Sequence, residues 1–151
     1  MAQVHEYPVT VDWYGGRDGS GEVIAQRSGV QVPLSVPPEF QGPGEGSNPE
    51  ELFTSAIVSC YTITLGIVTA NRKIPVRHIQ VSASGEATQN GAQIVYTRVV
   101  IRPTIFLEPS ATDDHVRLAL EMAHKADSYC IVTNAVRDKV SVEIKPSVQR
   151  M

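Results

Sequence analysis

The chain has 151 residues, 42% hydrophobic and 19% charged, a balance suited to a folded globular protein rather than a disordered one. Lys plus Arg number 13 and Asp plus Glu 16, for a net charge of −3; a mildly acidic chain with no basic block argues against nucleic acid as the main partner. We count no uncharged apolar run of the roughly 18 residues that a bilayer span needs. The start, Met1 to Glu6, lacks a charged and apolar leader. The expectation is one domain over residues 1–151, in the cytoplasm, with no membrane partner.

In chain order, apolar and polar residues alternate from Val4 to Trp13, the signature of a strand. Gly15-Gly16-Arg17-Asp18-Gly19 is a turn, and Glu22 to Gln26 is extended again, which predicts a hairpin. Val30 to Val36 reads as a third strand, stopped by Pro37-Pro38, and Pro37 to Ser47 reads as a loop.

Asn48-Pro49-Glu50-Glu51 carries the strongest local signal: Asn at N-cap, Pro at N1 and Glu at N3 in a capping box. Apolar residues at helical spacing follow, and between Glu51 and Arg72 there is no charge. A helix apolar nearly all round is expected to be buried on all sides. In a small chain that implies cover from a sheet and from a second subunit. Beyond it, Pro75 to Ser84 reads as a strand, Glu86 to Gly91 as a turn and Gln93 to Leu107 as a long strand. Thr112 and Asp113 cap a helix, a short helix runs from Cys130 to about Asp138, and Val140 to Ile144 closes as a strand. The order predicts an α+β fold with antiparallel sheet rather than a βαβ series.

Two cysteines, Cys60 and Cys130, could be small core residues or a catalytic pair. Thr54, Ser55, Ser59, Thr62 and Thr64 place hydroxyls near Cys60 on an otherwise apolar helix, although such hydroxyls can bond the preceding turn. The N-terminus of this helix is roughly 18 Å from Cys60 along the axis, too far for its dipole to act. We therefore expect a cation to lower the Cys60 pKa, and Arg17 is the candidate. A drop from about 8.5 to about 6 raises the thiolate fraction at pH 7 roughly 30-fold. Nucleophilicity falls roughly 13-fold over the same range, leaving a net gain of about two- to threefold. Such a cation matters more for the charge on a leaving oxygen than for thiolate supply. His5, His78, His115 and His124 do not cluster with the cysteines at metal-ligand spacing, so no metal site is expected. No phosphate loop or dinucleotide fingerprint is present.

The glycine turn with Arg17, the segment Ser47-Asn48-Pro49-Glu50-Glu51-Leu52-Phe53 with Cys60 ten residues after Glu50, and the late Cys130 followed by Thr133-Asn134-Ala135 together resemble the OsmC/Ohr family. These are the osmotically inducible protein C and organic hydroperoxide resistance proteins, and the resemblance covers nearly the whole chain. It implies antiparallel sheets wrapped around a long buried central helix in an intertwined homodimer. It also implies a thiol-dependent peroxidase that reduces organic hydroperoxides to alcohols with no bound cofactor or metal. By motif, Cys60 corresponds to the peroxidatic thiol, Cys130 to the resolving one, and Arg17 and Glu50 to the pair that orients and polarises the peroxide. Phe53, Ile57 and Tyr61 would form an apolar substrate pocket, or simply core. The implied partners are an organic hydroperoxide, a second copy of the chain and an external dithiol reductant such as a lipoyl group on a protein. The Ohr branch carries Cys-Pro at the second cysteine, whereas this chain has Cys130-Ile131.

Two other functions fit the same residues: a non-catalytic small-molecule-binding dimer on the same fold, and a thiol enzyme acting on another electrophile. Spacing adds one constraint. Glu50 and Cys60 are about 15 Å apart on a straight helix, so either the helix begins after Glu50 or a partner chain completes the surroundings of Cys60.

Overall fold

The glycine turn folds the N-terminal segment back on itself. In a computed structural model describing residues 1–151, β1 (Val9–Tyr14) pairs antiparallel with β2 (Ser20–Ala25), from Val9 opposite Ala25 to Tyr14 opposite Ser20. Gly15 adopts φ +101, which disfavours a side chain, and a Cβ on Gly19 would lie 2.4 Å from the Tyr14 carbonyl oxygen. β3 (Gln31–Leu34) adds antiparallel to β2. β1 begins at Val9 rather than Val4 because β2 ends at Ala25, opposite Val9, and Pro8 has no N–H to extend a ladder. The loop after β3 contains one 3-10 turn, Pro38–Phe40.

The chain divides into two compact units, Met1–Leu52 and Phe53–Met151. The first ends in the opening of α1 (Pro49–Asn71). Asn48 caps that helix, its Oδ1 accepting the Glu51 N–H at 2.9 Å. The Glu51 carboxylate accepts the Ser47 hydroxyl at 3.0 Å.

In the second unit, β4 (Val76–Asn90) and β5 (Gln93–Leu107), each of 15 residues, form a long antiparallel hairpin. The turn expected over Glu86 to Gly91 is strand as far as Asn90. A bulge between Glu86 and Ala87 absorbs the irregularity, and Thr88 and Thr97 bond across the strands at 3.0 Å. Long cross-strand pairing overrides the local turn preference of these polar residues. On the other side of β5 lie β6 (Ser141–Ile144) and β7 (Ser147–Arg150), both parallel to it. The second sheet is therefore mixed rather than wholly antiparallel, and β7, which follows Pro146, was not foreseen. With neighbours on both sides, β5 buries Val99, Val100 and Ile101 consecutively, as a central strand does.

α2 (Asp113–Lys125) starts in a reciprocal cap. Thr112 Oγ1 accepts the His115 N–H at 3.2 Å, and the Thr112 N–H donates to His115 Nδ1 at 3.1 Å. A 3-10 turn (Ala126–Tyr129) leads through Cys130 into α3 (Ile131–Val136). Ile57, Tyr61 and Leu65 of α1 share one core with Val99, Ile101, Ile105 and Leu107 of β5 and Ala119, Met122 and Ala123 of α2. The Tyr61 hydroxyl donates to the Ala123 carbonyl at 2.6 Å within that core. Burial, then the nearby Asp127 charge, pushes its pKa up.

Within one chain α1 is covered on one face only. Ile63 is 64% and Ile67 55% exposed. The helix is also longer in apolar character than the sequence count allowed: by length and composition its 23 residues could cross a membrane. Its threonines and serines interrupt the apolar run on paper. In the helix, Thr62 and Thr69 donate to the Val58 and Leu65 carbonyls at 2.7 and 2.8 Å, which removes much of their polar cost.

Candidate active site

Cys60 and Cys130 meet in the second unit. Cys60 sits mid-helix on α1, half-buried, and Cys130, fully buried, is the N-cap of α3. Cys130 Sγ accepts the Thr133 N–H at 3.4 Å, the sulfur doing the work a Ser or Asp oxygen does at other N-caps. The segment is pinned from outside by Arg137, whose guanidinium donates to the Asp127 carboxylate (3.2 Å), the Asp127 carbonyl (3.0 Å) and Asn134 Oδ1 (3.0 Å). Asn134 in turn donates to the Ser128 carbonyl at 2.9 Å.

The two thiols are unlike. Burial raises the Cys60 pKa, but donation from the Cys130 thiol, the N–H groups of Val132 and Ile131 and the Thr64 hydroxyl outweighs it, so the net shift is downward. Burial also raises the Cys130 pKa, and its bond to Cys60 raises it further; Thr133, through hydroxyl and N–H, pulls the other way without prevailing. The half-exposed sulfur is thus the better thiolate, and the sealed one holds its proton.

The expectation that only a cation could lower the Cys60 pKa is corrected by this arrangement. The distant N-terminus of α1 indeed plays no part, but the first turn of another helix, α3, aims two N–H groups at the sulfur, and no charged group contributes. Backbone donors leave no mark in a sequence. Thr64 does, since it follows Cys60 by one helical turn, and of the hydroxyls flagged around Cys60 it is the one that donates to the sulfur.

The structure brings Cys60 and Cys130 together. Arg17 stands in the glycine turn of the first unit, where its Nη1 donates to Gln41 Oε1 at 3.4 Å. Glu50 stands in the first turn of α1. Because α1 runs unbroken from Pro49, a helix start after Glu50 is excluded. Ile57 and Tyr61, expected as pocket lining, are instead wholly enclosed in the core. Phe53 is half-buried, edge-on to the Tyr96 ring at 4.7 Å. No three His, Cys, Asp or Glu side chains converge in a metal-binding group.

The family model of OsmC-like proteins matches residues 42–145. Over 96% of its length the chain is 28% identical to the uncharacterized protein YmaD of Bacillus subtilis, covering 95% of that protein. It is 27% identical to an organic hydroperoxide resistance protein-like 2 of Staphylococcus saprophyticus, covering 94% of this chain and 96% of the relative. Among solved structures, it shares its fold with an OsmC-like protein of unknown function from Vibrio cholerae (TM-score 0.77, 24% identity, 93% and 99% of the two chains covered). An organic hydroperoxide resistance protein OsmC from Legionella pneumophila has the same fold (TM-score 0.73, 23% identity, 95% and 99% covered).

Proposed function

The chain belongs to the OsmC-like protein family, and from that premise we propose that it is a cytoplasmic thiol peroxidase that reduces organic hydroperoxides to alcohols. The observation that carries this reading is the asymmetric thiol pair. A half-exposed Cys60 whose pKa is lowered, hydrogen-bonded to a sealed Cys130 whose pKa is raised, is the division of labour that a peroxidatic and a resolving cysteine require. The name of the staphylococcal relative supports organic hydroperoxides as the substrate class.

In this scheme the Cys60 thiolate attacks the distal peroxide oxygen. The O–O bond breaks, the alcohol departs after taking up a proton, and Cys60 becomes a sulfenic acid. Cys130 then displaces the hydroxyl to form a disulfide, with water as product. An external dithiol, such as a lipoyl group, returns both cysteines to thiols by exchange. Arg17 and Glu50 are assigned, by motif, to orienting and polarising the peroxide. With the helix intact from Pro49, groups from a second copy complete the Cys60 surroundings. That copy would also cover the exposed Ile63 and Ile67 of α1 and the exposed Val9 and Val11 of β1.

The test is steady-state turnover of an organic hydroperoxide with a dithiol reductant. Wild type is expected to turn over and Cys60→Ser to be inactive. A wild type inert toward every organic hydroperoxide, or an active Cys60→Ser, rejects the reading.

A further inference from the structure

Thr133 is fully buried, and its hydroxyl has no hydrogen-bond partner of ordinary geometry. Buried hydroxyls are nearly always bonded, so an exception calls for a partner that another state of the molecule supplies. Thr69, equally buried on α1, satisfies itself on the Leu65 carbonyl one turn back. Thr133 is the third residue of the six-residue α3, and the residue one turn behind it, Tyr129, lies outside that helix. The polar atom within its influence is the Cys130 sulfur, which already accepts the Thr133 N–H at 3.4 Å.

We propose that the Thr133 hydroxyl is a donor held for Cys130, engaged when the Cys130 sulfur gives up its proton to attack the sulfenic acid of Cys60. The inference rests on the peroxidase reading and names a residue for its second step. In the reduced pair the Cys130 S–H donates to Cys60. After an organic hydroperoxide has converted Cys60 to S–OH, that proton passes to the leaving oxygen. The S–S bond forms, the S–O bond breaks and water departs; Cys130 is oxidised and the Cys60 sulfenic acid reduced. While the sulfur carries negative charge, buried and away from water, the Thr133 hydroxyl and N–H stabilise it together. An ionised acceptor gains most from such donors.

The experiment is a single turnover with one equivalent of cumene hydroperoxide. Sulfenic acid is trapped with a dione reagent, and disulfide is read by peptide mass spectrometry. Thr133→Val keeps the shape and deletes the donor; in it, conversion of sulfenic acid to disulfide is expected to slow about tenfold or more, and Thr133→Ser to recover most of the rate. A second readout needs no peroxide. Cys60 is the one titratable group acting on Cys130, so in a Cys60→Ala background the thiolate absorbance reports Cys130 alone, and adding Thr133→Val is expected to move its titration upward. Since the hydroxyl makes no hydrogen bond of ordinary geometry in the resting pair, Thr133→Val is also expected to melt no lower than wild type. Unchanged conversion and unchanged titration in Thr133→Val, or a clearly lowered melting temperature, overturn the inference. A wild type that forms neither sulfenic acid nor disulfide overturns the peroxidase reading, and the attack step with it, whatever the titration gives.

Discussion

The Cys130 thiol donates to the Cys60 sulfur, and this one hydrogen bond moves the two pKa values in opposite directions, down at Cys60 and up at Cys130. The linkage signs are therefore opposed. The stabilisation contributed by Cys60 is present above its unfolded pKa of about 8.5 and is lost as pH falls through its depressed folded value. That of Cys130 is present below the unfolded value and lost as pH rises through its elevated one.

Removing the donor tests the pair. Cys130→Ala deletes the S–H, so the Cys60 pKa is expected to rise. The pH midpoint for alkylation of Cys60 by a neutral reagent then moves upward from wild type. A midpoint that stays in place means the thiol bond does not set the Cys60 charge.

Ile131 stands where the Ohr branch has proline, and its N–H is one of two backbone donors to Cys60. Proline is well tolerated at the first position of a helix, so Ile131→Pro removes the donor and leaves α3 in place. The expected result is an upward shift of the Cys60 alkylation midpoint with an unchanged circular dichroism spectrum. An unchanged midpoint in a folded variant contradicts the role given to this N–H.

The Tyr61 hydroxyl is the polar lock between α1 and α2, 2.6 Å from the Ala123 carbonyl and out of reach of water. Tyr61→Phe leaves that carbonyl without its buried donor, at a cost of about 1–3 kcal/mol. Chemical denaturation should show the loss as a lower midpoint with an unchanged slope. A variant as stable as wild type contradicts the bond's contribution.

Ile63 and Ile67 share the uncovered face of α1. If a second copy covers that face, Ile63→Asp places a charge in an apolar interface and the protein becomes monomeric. Sedimentation velocity reads this directly: wild type as a dimer and the variant at half its mass. A monomeric wild type, or a dimer that survives the substitution, contradicts the assignment.

Where local chemistry decides the structure, it was legible from residue types. Asn48 and Pro49 start a helix because an Asx cap and a pre-set φ act within one turn, and Gly15 and Gly19 permit a turn that crowds out a Cβ. Where nonlocal pairing decides, it was not. Residues 86–90 look like a turn and are held as strand by β5. β7 is too short to announce itself and exists because β5 offers a free edge beyond β6. The cysteine spacing, with the motifs around it, suggests a reacting pair, but what tunes the pair is burial, the bond between the two thiols, the Thr64 and Thr133 hydroxyls and the backbone N–H groups of Ile131, Val132 and Thr133. Arg17 is visible in the sequence as a charge, whereas no charged group of the chain is among the causes of the Cys60 shift. Ile57 and Tyr61 were apolar near Cys60 in sequence, yet helical geometry turns them toward β5 and α2 as core.

The most direct test of the central claim uses neither a reductant nor steady-state kinetics. Reduced wild-type protein is mixed with one equivalent of an organic hydroperoxide, and the intact mass and the non-reducing peptide map are read. The account predicts loss of two hydrogens per chain and a single cross-linked peptide joining Cys60 to Cys130, with one alcohol formed per disulfide. Two free thiols beside unconsumed hydroperoxide would contradict it.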